Sequence, residues 1–295
     1  MGARNNEERL GKLNVPADIP IPELQEQGNQ QASFQMPTPT EFVELPSQGR
    51  FYSEDHPLYG QDSLEIRFMT AKDEDILTSQ ALLRKGVALD RFLQNIVIDK
   101  RVKVDDLLVC DKNALVVRAR VTGYGPQYQT KISCPACGTS QDHEFDLDEA
   151  KVVTADDLAT DDVYMNEKGH ISFQLPRTNV NVVVRMMTGK DENQLIKKSN
   201  VRNKNSEKVS TLLTNQLKTI IVSANENTDQ FFINDFVDNM PAMDSRFLRK
   251  EYAKNIPSID MTQWFTCSTC FYEKDMEVPF TSIEIPWWLG FLGSI

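Results

Sequence analysis

The sequence has few of the residues that most often carry catalysis. It contains only three histidines, and none of them belongs to a recognised nucleophile motif. It also lacks a phosphate-binding glycine loop, because Gly189-Lys190 is followed by aspartate where that motif requires serine or threonine. We therefore expect a protein that is not an enzyme.

Basic residues are scarce as well. The chain has 32 Lys and Arg against 43 Asp and Glu, which gives a formal net charge of −11. Binding to the phosphates of a nucleic acid draws on clustered Lys and Arg. The charge balance therefore argues against a nucleic-acid partner.

Long apolar runs are also missing. No run approaches the roughly 20 residues that a helix needs to cross a bilayer. The chain does not open with a charged segment followed by an apolar one, the pattern of a secretion signal. We expect no membrane span and synthesis in a reducing cytoplasm.

Cysteine is rare, but its spacing is informative. Four of the five cysteines form two Cys-x-x-Cys pairs, Cys134 with Cys137 and Cys267 with Cys270. A two-residue gap lets both sulfurs of a pair face one tetrahedral zinc ion. Both pairs stand between strand-like residues, and no helical pattern follows either pair, as it would in a redox motif.

The cysteines therefore predict a zinc-ribbon-like structural site of four thiolates, with zinc as the preferred metal and iron as the alternative. Two interpretations without a metal stay open, namely unmetallated core thiols and two disulfides. The fifth cysteine, Cys110, has no partner at ligand spacing and is expected to be a small buried residue.

An internal repeat connects the two pairs. The stretch RFMTAKDED at residues 67–75 returns as RMMTGKDEN at residues 185–193, and each copy leads through helical sequence to one Cys-x-x-Cys pair. We predict an α+β fold made of a duplicated module, each copy with short β-strands, an αα-hairpin and a Cys-x-x-Cys knuckle. The predicted divisions are an extended or disordered arm at 1–41, a first module at 42–155 and a second at 156–295.

Apolar spacing places the helices. Helices are predicted at residues 71–83, 88–98, 209–222, 231–239 and 243–254. Residues 114–121 fit either the end of a helix or a buried strand.

The chain ends in an apolar aromatic segment that is too short to span a membrane. Its large apolar residues are Trp287, Trp288, Leu289, Phe291 and Leu292. Aromatic anchors concentrate at the centres of interfaces, so we predict a partner-binding surface here. Burial in the protein's own core is the alternative.

Three segments of the sequence resemble the T4-type baseplate hub protein family of contractile-tailed bacteriophages. They are Leu45-Pro46-Ser47-Gln48-Gly49-Arg50-Phe51-Tyr52, Met69-Thr70-Ala71-Lys72-Asp73-Glu74-Asp75-Ile76-Leu77 and Lys85-Gly86-Val87-Ala88-Leu89-Asp90. The resemblance covers mainly residues 42–140. It implies a structural protein of the virion, assembled in the host cytoplasm and placed near the tail axis with other hub subunits and the tape measure or spike proteins. It implies no catalytic residue.

Two further expectations follow. Three copies of a duplicated chain would present six similar faces around an axis, which predicts a homo-oligomer, a trimer on this argument. The alternative function is a zinc-ribbon adaptor that binds nucleic acid or a host transcription protein.

Overall fold

The fold is taken from a computed structural model that describes residues 38–158, 165–203 and 212–279. We call residues 38–158 the first half and the described residues from 165 onward the second half. The predicted arm lies outside the described residues up to position 37. The apolar segment at 287–292 lies outside them as well.

The first half begins with two short strands and continues with helices. Its elements are β1 (Thr40–Glu44), β2 (Ser63–Arg67), α1 (Ala71–Thr78), α2 (Gln80–Lys85), α3 (Ala88–Ile96), α4 (Val109–Tyr124), β3 (Gln127–Ser133), β4 (Ser140–Asp146), β5 (Lys151–Val153) and α5 (Ala155–Leu158). One 3-10 turn, Val104–Asp106, precedes α4, and another, Leu147–Glu149, follows β4.

The second half follows a similar order. Its elements are β6 (His170–Gln174), β7 (Asn181–Arg185), α6 (Gly189–Asn203), α7 (Leu212–Ile220), β8 (Ile221–Ala224), α8 (Gln230–Asp238), α9 (Ala242–Asn255), β9 (Ser258–Asp260), β10 (Thr262–Thr266) and β11 (Glu273–Glu277).

The strands form small antiparallel sheets. In the part of the chain that the structure describes, four sheets have two strands each, namely β1–β2, β3–β4, β5–β9 and β10–β11, and one has the order β6-β7-β8. The mixture of helices and small sheets confirms the predicted α+β class. Among the described residues, no helix is both long and apolar enough to cross a membrane.

The structure refines three of the predicted elements. The helix expected at 71–83 is interrupted at Ser79, whose extended backbone (φ −65°, ψ 106°) separates α1 from α2. Residues 114–121 lie inside α4, which settles the choice between helix and strand. The helix expected at 209–222 ends at Ile220, because the next residues pair with β7 as strand β8.

The repeated stretch forms the same strand-turn-helix corner in both halves. Arg67 at the end of β2 makes two hydrogen bonds of 2.6 and 2.9 Å to Asp73 in the first turn of α1. Arg185 at the end of β7 makes two of 2.7 and 2.9 Å to Asp191 in α6. In both corners the threonine before the helix donates its backbone amide to the same aspartate. The repeat therefore reflects one corner built twice.

A second repeated feature joins the turn after the first strand of each half to a later helix. Asp111, in the first turn of α4, accepts hydrogen bonds from Ser47 N and Ser47 Oγ at 2.9 and 2.6 Å. Asp244, in the first turn of α9, accepts from Arg177 N and Thr178 N at 2.8 and 3.0 Å. Both carboxylates are fully buried. They satisfy the amides of turns that would otherwise lack partners.

Three apolar clusters form the core of the described residues. One lies in the first half around Leu45, Ile66, Phe92, Leu93 and Leu115. One lies in the second half around Leu175, Val184, Leu217, Ile220 and Leu248. The third joins the two cysteine hairpins and contains Tyr128, Phe145, Leu147, Phe265 and Val278.

A buried ion cluster connects the two halves. Lys112 of α4 is 3% exposed and binds both Asp90 of α3 and Glu192 of α6, the latter at 2.8 Å. Asn193 of α6 donates to Asp90 Oδ2 at 2.8 Å and to Asp105 Oδ1 at 2.9 Å. Although burial alone would lower it, the Glu192 and Asp90 carboxylates raise the pKa of Lys112 above its ordinary value.

Candidate metal centre

Each Cys-x-x-Cys pair lies in the turn of a two-stranded hairpin. In the first hairpin, Cys134 N donates to Thr139 O at 2.9 Å, and Gly138 N donates to Cys134 O at 2.9 Å. These bonds fold the chain tightly around the pair and bring both thiols of the pair to one side of the turn. The turn closes at Gly138, whose φ of +73° suits glycine.

The second hairpin repeats this turn. Cys267 N donates to Tyr272 O at 2.8 Å, and Phe271 N donates to Cys267 O at 3.0 Å. Here Phe271, with φ of +56°, stands where the first hairpin has glycine. The two hairpins therefore present their cysteines in the same local geometry, although one comes from each half.

The four sulfurs meet in one cluster. Cys134 Sγ lies 3.7 Å from Cys270 Sγ, and Cys137 Sγ lies 3.7 Å from Cys267 Sγ. All four sulfurs lie within 4.8 Å of one another. The two contacts are equivalent, because Cys134 corresponds to Cys267 and Cys137 corresponds to Cys270 in the two hairpins. The predicted meeting of the two distant pairs is therefore confirmed.

The spacing of the sulfurs fits a tetrahedral metal ion. A zinc–sulfur bond of about 2.3 Å in a tetrahedron separates the sulfurs by about 3.8 Å. The two cross-hairpin distances of 3.7 Å match that edge. They are also too long for disulfide bonds, and all five cysteines are free thiols. The cluster can hold a metal ion, and its geometry does not identify which one.

The acidity of the thiols varies across the cluster. Hydrogen bonds from the side chain and backbone of Thr139 lower the pKa of Cys137 to about 6. The backbone amides of Cys270 and Thr269 lower the pKa of Cys267. Although the Tyr272 amide favours its thiolate, desolvation and hydrogen bonds with the other three cysteines raise the pKa of Cys270 to about 12. The hydrogen bonds therefore favour thiolates at Cys137 and Cys267, and a bound cation would favour the thiolate form of the other two cysteines as well.

Gln141 connects the two hairpins beside the cluster. Its Nε2 donates to Thr266 O at 3.0 Å, and its Oε1 accepts from Ser268 N at 2.8 Å and Ser268 Oγ at 3.0 Å. These bonds hold the second turn against the first strand pair. This role could not be predicted from the sequence, because an isolated glutamine after a Cys-x-x-Cys pair has no characteristic spacing.

His143 is close in sequence to the first pair, but it is not part of the cluster. Its ring packs edge to face against Phe145 and Phe265, with centroids 4.6 and 5.3 Å away. It therefore supports the core beneath the hairpins. Cys110 is buried as predicted, 7% exposed, and lies 3.7 Å from Asp111 Oδ1, away from the four-cysteine cluster.

The other predicted site residues, Trp287, Trp288, Leu289, Phe291 and Leu292, lie outside the described residues.

Comparison with known proteins identifies a family. A family model described as T4 bacteriophage base plate protein matches residues 36–281. The search of curated proteins and the search of solved structures found no match. The matched span contains both halves, both repeated corners and both cysteine pairs. The chain therefore belongs to the T4 bacteriophage base plate protein family and is a structural component of a phage tail baseplate.

Proposed function

We propose that this chain is a hub subunit of a contractile phage tail, located near the tail axis, in which one structural zinc ion bound by Cys134, Cys137, Cys267 and Cys270 joins the two cysteine hairpins. The zinc part of this proposal rests on the cluster of four sulfurs within 4.8 Å, supplied by both halves of the chain. The hub part rests on family membership and on the three stretches that resemble the hub protein family. The chain is a scaffold rather than an enzyme. It divides into an arm at 1–41, a first module at 42–155 and a second at 156–295.

A metal would add stability where two small hairpins meet. The hairpins β3–β4 and β10–β11 are separate two-stranded sheets, and such hairpins are marginal alone. When bound, zinc supplies four thiolate bonds that cross-link the hairpins and carries out no reaction. The four cysteines bind it, and Gln141 keeps the second turn in place.

A hub subunit needs surfaces for other hub and tail proteins, which include the tape measure or the central spike in this proposal. We assign one such surface to the apolar segment with Trp287, Trp288, Leu289, Phe291 and Leu292. Apolar aromatic anchors of this kind contribute strongly to interfaces once they are desolvated.

Elemental analysis and a melting curve of the full chain test the metal. We expect one zinc per chain, and we expect the double variant C267S/C270S to lose the metal and melt at a lower temperature. The matched control C110A removes the cysteine outside the cluster and should keep one zinc. A metal-free protein whose melting temperature is the same in the double variant would contradict the zinc proposal.

A reconstruction of the assembled particle tests the location. We expect density for this chain beside the tail axis. Density only at the periphery of the baseplate would contradict the hub role and leave family membership unaffected. Salt-dependent retention of the purified chain on DNA would instead favour the adaptor alternative.

A further inference from the structure

The two halves of the chain pair through backbone hydrogen bonds at one repeated corner. Val109 N donates to Met187 O at 2.9 Å, and Gly189 N donates to Leu107 O at 2.8 Å. Leu108 and Thr188 form an antiparallel bridge between these bonds. The segment Leu107–Val109 of the first half thus docks on the corner Met187–Gly189 of the second half.

Each partner of this contact has an equivalent elsewhere in the chain. In the repeated stretch, Met69–Ala71 of the first half occupies the same positions as Met187–Gly189 of the second half. We call Met69–Ala71 the acceptor corner. When the buried Asp111 of α4 is aligned with the buried Asp244 of α9, Met240–Ala242 of the second half aligns with Leu107–Val109 of the first half. We call Met240–Ala242 the donor segment.

The donor segment has the conformation that docking requires. Leu108 has φ −63° and ψ 142°, and the equivalent Pro241 has φ −56° and ψ 139°. A proline fits here, because Leu108 does not use its amide in the bridge and donates it to Tyr52 Oη instead. Leu107 N donates to Val104 O at 3.2 Å, and the equivalent Met240 N donates to Val237 O at 3.3 Å.

The acceptor corner and the donor segment lack the backbone hydrogen bonds that their equivalents make with each other. Within the described part of the chain, no backbone hydrogen bond involves Met69 O, Ala71 N, Met240 O or Ala242 N. Ala71 is exposed, whereas Gly189 in the same position is buried.

The helix beside the acceptor corner shows the same difference. Glu74 of α1 is exposed, whereas its equivalent Glu192 of α6 is 2% exposed beneath the first half. In the donor segment, Pro241 and Ala242 are exposed, and the neighbouring Met243 is 56% exposed.

We propose that the donor segment of one copy docks on the acceptor corner of a second copy. Ala242 N donates to Met69 O, Ala71 N donates to Met240 O, and Pro241 bridges Thr70. The contact repeats between copies the pairing that already joins the two halves within one chain. It does not depend on the zinc site or on the hub location.

One position differs from the intrachain contact. A Cβ on Gly189 would lie 2.8 Å from Val104 O, which is closer than real Cβ contacts. Ala71 carries that Cβ, so the two copies must lie slightly further apart than the two halves do. Replacing Ala71 with glycine should therefore strengthen the association.

The symmetry of the contact follows from where its two partners lie. Each copy carries one donor segment in its second half and one acceptor corner in its first half. Such a head-to-tail contact forms a closed ring if the rotation between copies closes, and a filament if it does not. A ring of three copies would contain six repeated halves, which is the trimer that the duplication predicts.

Light scattering of the full chain over a concentration series tests the proposal. The variants A242P and A71P each remove one amide donor at the first residue of a helix, where proline is tolerated. The residues before them, Pro241 and Thr70, already have the extended backbone that a following proline requires. The matched controls A242S and A71S keep the amide.

We expect wild type and both serine variants to form oligomers, and each proline variant to dissociate about tenfold or more readily. Mixing A242P, which keeps the acceptor corner, with A71P, which keeps the donor segment, should give a complex of one copy of each. A71G should associate more tightly than wild type, provided circular dichroism shows the same helix content.

Three results would overturn the proposal. One is a wild-type chain that stays monomeric at every concentration. Another is oligomerisation that survives in both proline variants, which would point to a different surface, such as the N-terminal arm. The third is an A71G variant that associates no more tightly than wild type.

Discussion

At the scale of single residues, a few buried charges determine how the corners and halves fit together. Asp73 is completely buried and accepts hydrogen bonds from Arg67, Thr70 and Asn95. Although burial alone would raise it, the hydrogen bonds from Arg67 and Thr70 hold the pKa of Asp73 far below its ordinary value. The carboxylate therefore stabilises the fold in its charged form.

Replacing Asp73 with asparagine should lower the free energy of unfolding by about 2–4 kcal/mol at neutral pH, because Arg67 loses its paired carboxylate. A depressed pKa gives stability that is present above the unfolded pKa of about 3.9 and is lost as pH falls below it. The difference between wild type and D73N should therefore shrink in acid. Urea unfolding at pH 7 and pH 3 measures both effects.

The matched control is D191N in the second corner, where the aspartate side chain is 15% exposed and its arginine 33% exposed. Its loss of stability should be smaller. An equal loss in the two variants would contradict the role of burial.

The buried ion cluster gives a second prediction at this scale. Lys112→Met should cost about 3–5 kcal/mol, because the buried Glu192 and the partly buried Asp90 would lose their cation. The double variant K112M/E192M should recover more than half of that loss, since it also removes one of the two carboxylates. Chemical denaturation of the single and double variants measures the coupling. Simple addition of the two single losses would contradict it.

At the scale of elements, the two cysteine turns are the same structure built from different residues. Gly138 and Phe271 both have positive φ, which costs a residue other than glycine about 1–2 kcal/mol. The side chain of Phe271 is 78% exposed and gains little from burial. The second turn therefore carries backbone strain that the first turn avoids.

Phe271→Gly should accordingly raise the free energy of unfolding by about 0.5–1 kcal/mol. Gly138→Ala should lower it by about 1 kcal/mol, and only through the backbone, because a Cβ there meets no atom within 4 Å. Thermal melts of both variants with their metal content measured provide the check. A loss of stability in F271G would show that the phenylalanine side chain has packing contacts in the folded protein.

At the scale of the whole molecule, the halves are joined by contacts of different kinds. Strand β5 of the first half pairs with β9 of the second, the Leu107–Val109 segment pairs with the second corner, and the cysteine hairpins share a core. The other two core clusters lie mainly within one half each. Loss of the proposed zinc should therefore loosen the hairpins before the helices.

Hydrogen exchange measures this directly. After zinc is removed with a chelator, we expect amides of β3, β4, β10 and β11 to exchange faster. Amides of α3, α4 and α9 should keep their protection, because most of the buried residues of these helices belong to the two core clusters outside the hairpins. Uniform deprotection of the whole chain would instead show that the metal controls global unfolding.

The long-range features that could be predicted from the sequence involve residues with strict spacing. The Cys-x-x-Cys pairs could be recognised because a pair of metal ligands requires cysteines at a set interval. The repeated RFMTAKDED stretch could be recognised because a capped helix start also requires particular residue types at set positions. Gln141, Asp111 and Asp244 could not be recognised in this way. Each of them accepts from at least one backbone amide far along the chain, and almost any residue type can supply an amide.

By itself, the sequence determined the α+β class, the duplication and the identity of the four cysteines, because each is encoded in local pattern or in repetition. Only the tertiary structure decided that the cysteines meet across the halves with sulfurs 3.7 Å apart, that Lys112 is buried between two carboxylates, and that one repeated corner is covered while the other is open. These features depend on how distant segments pack, and packing is determined by the whole chain rather than by neighbouring residues.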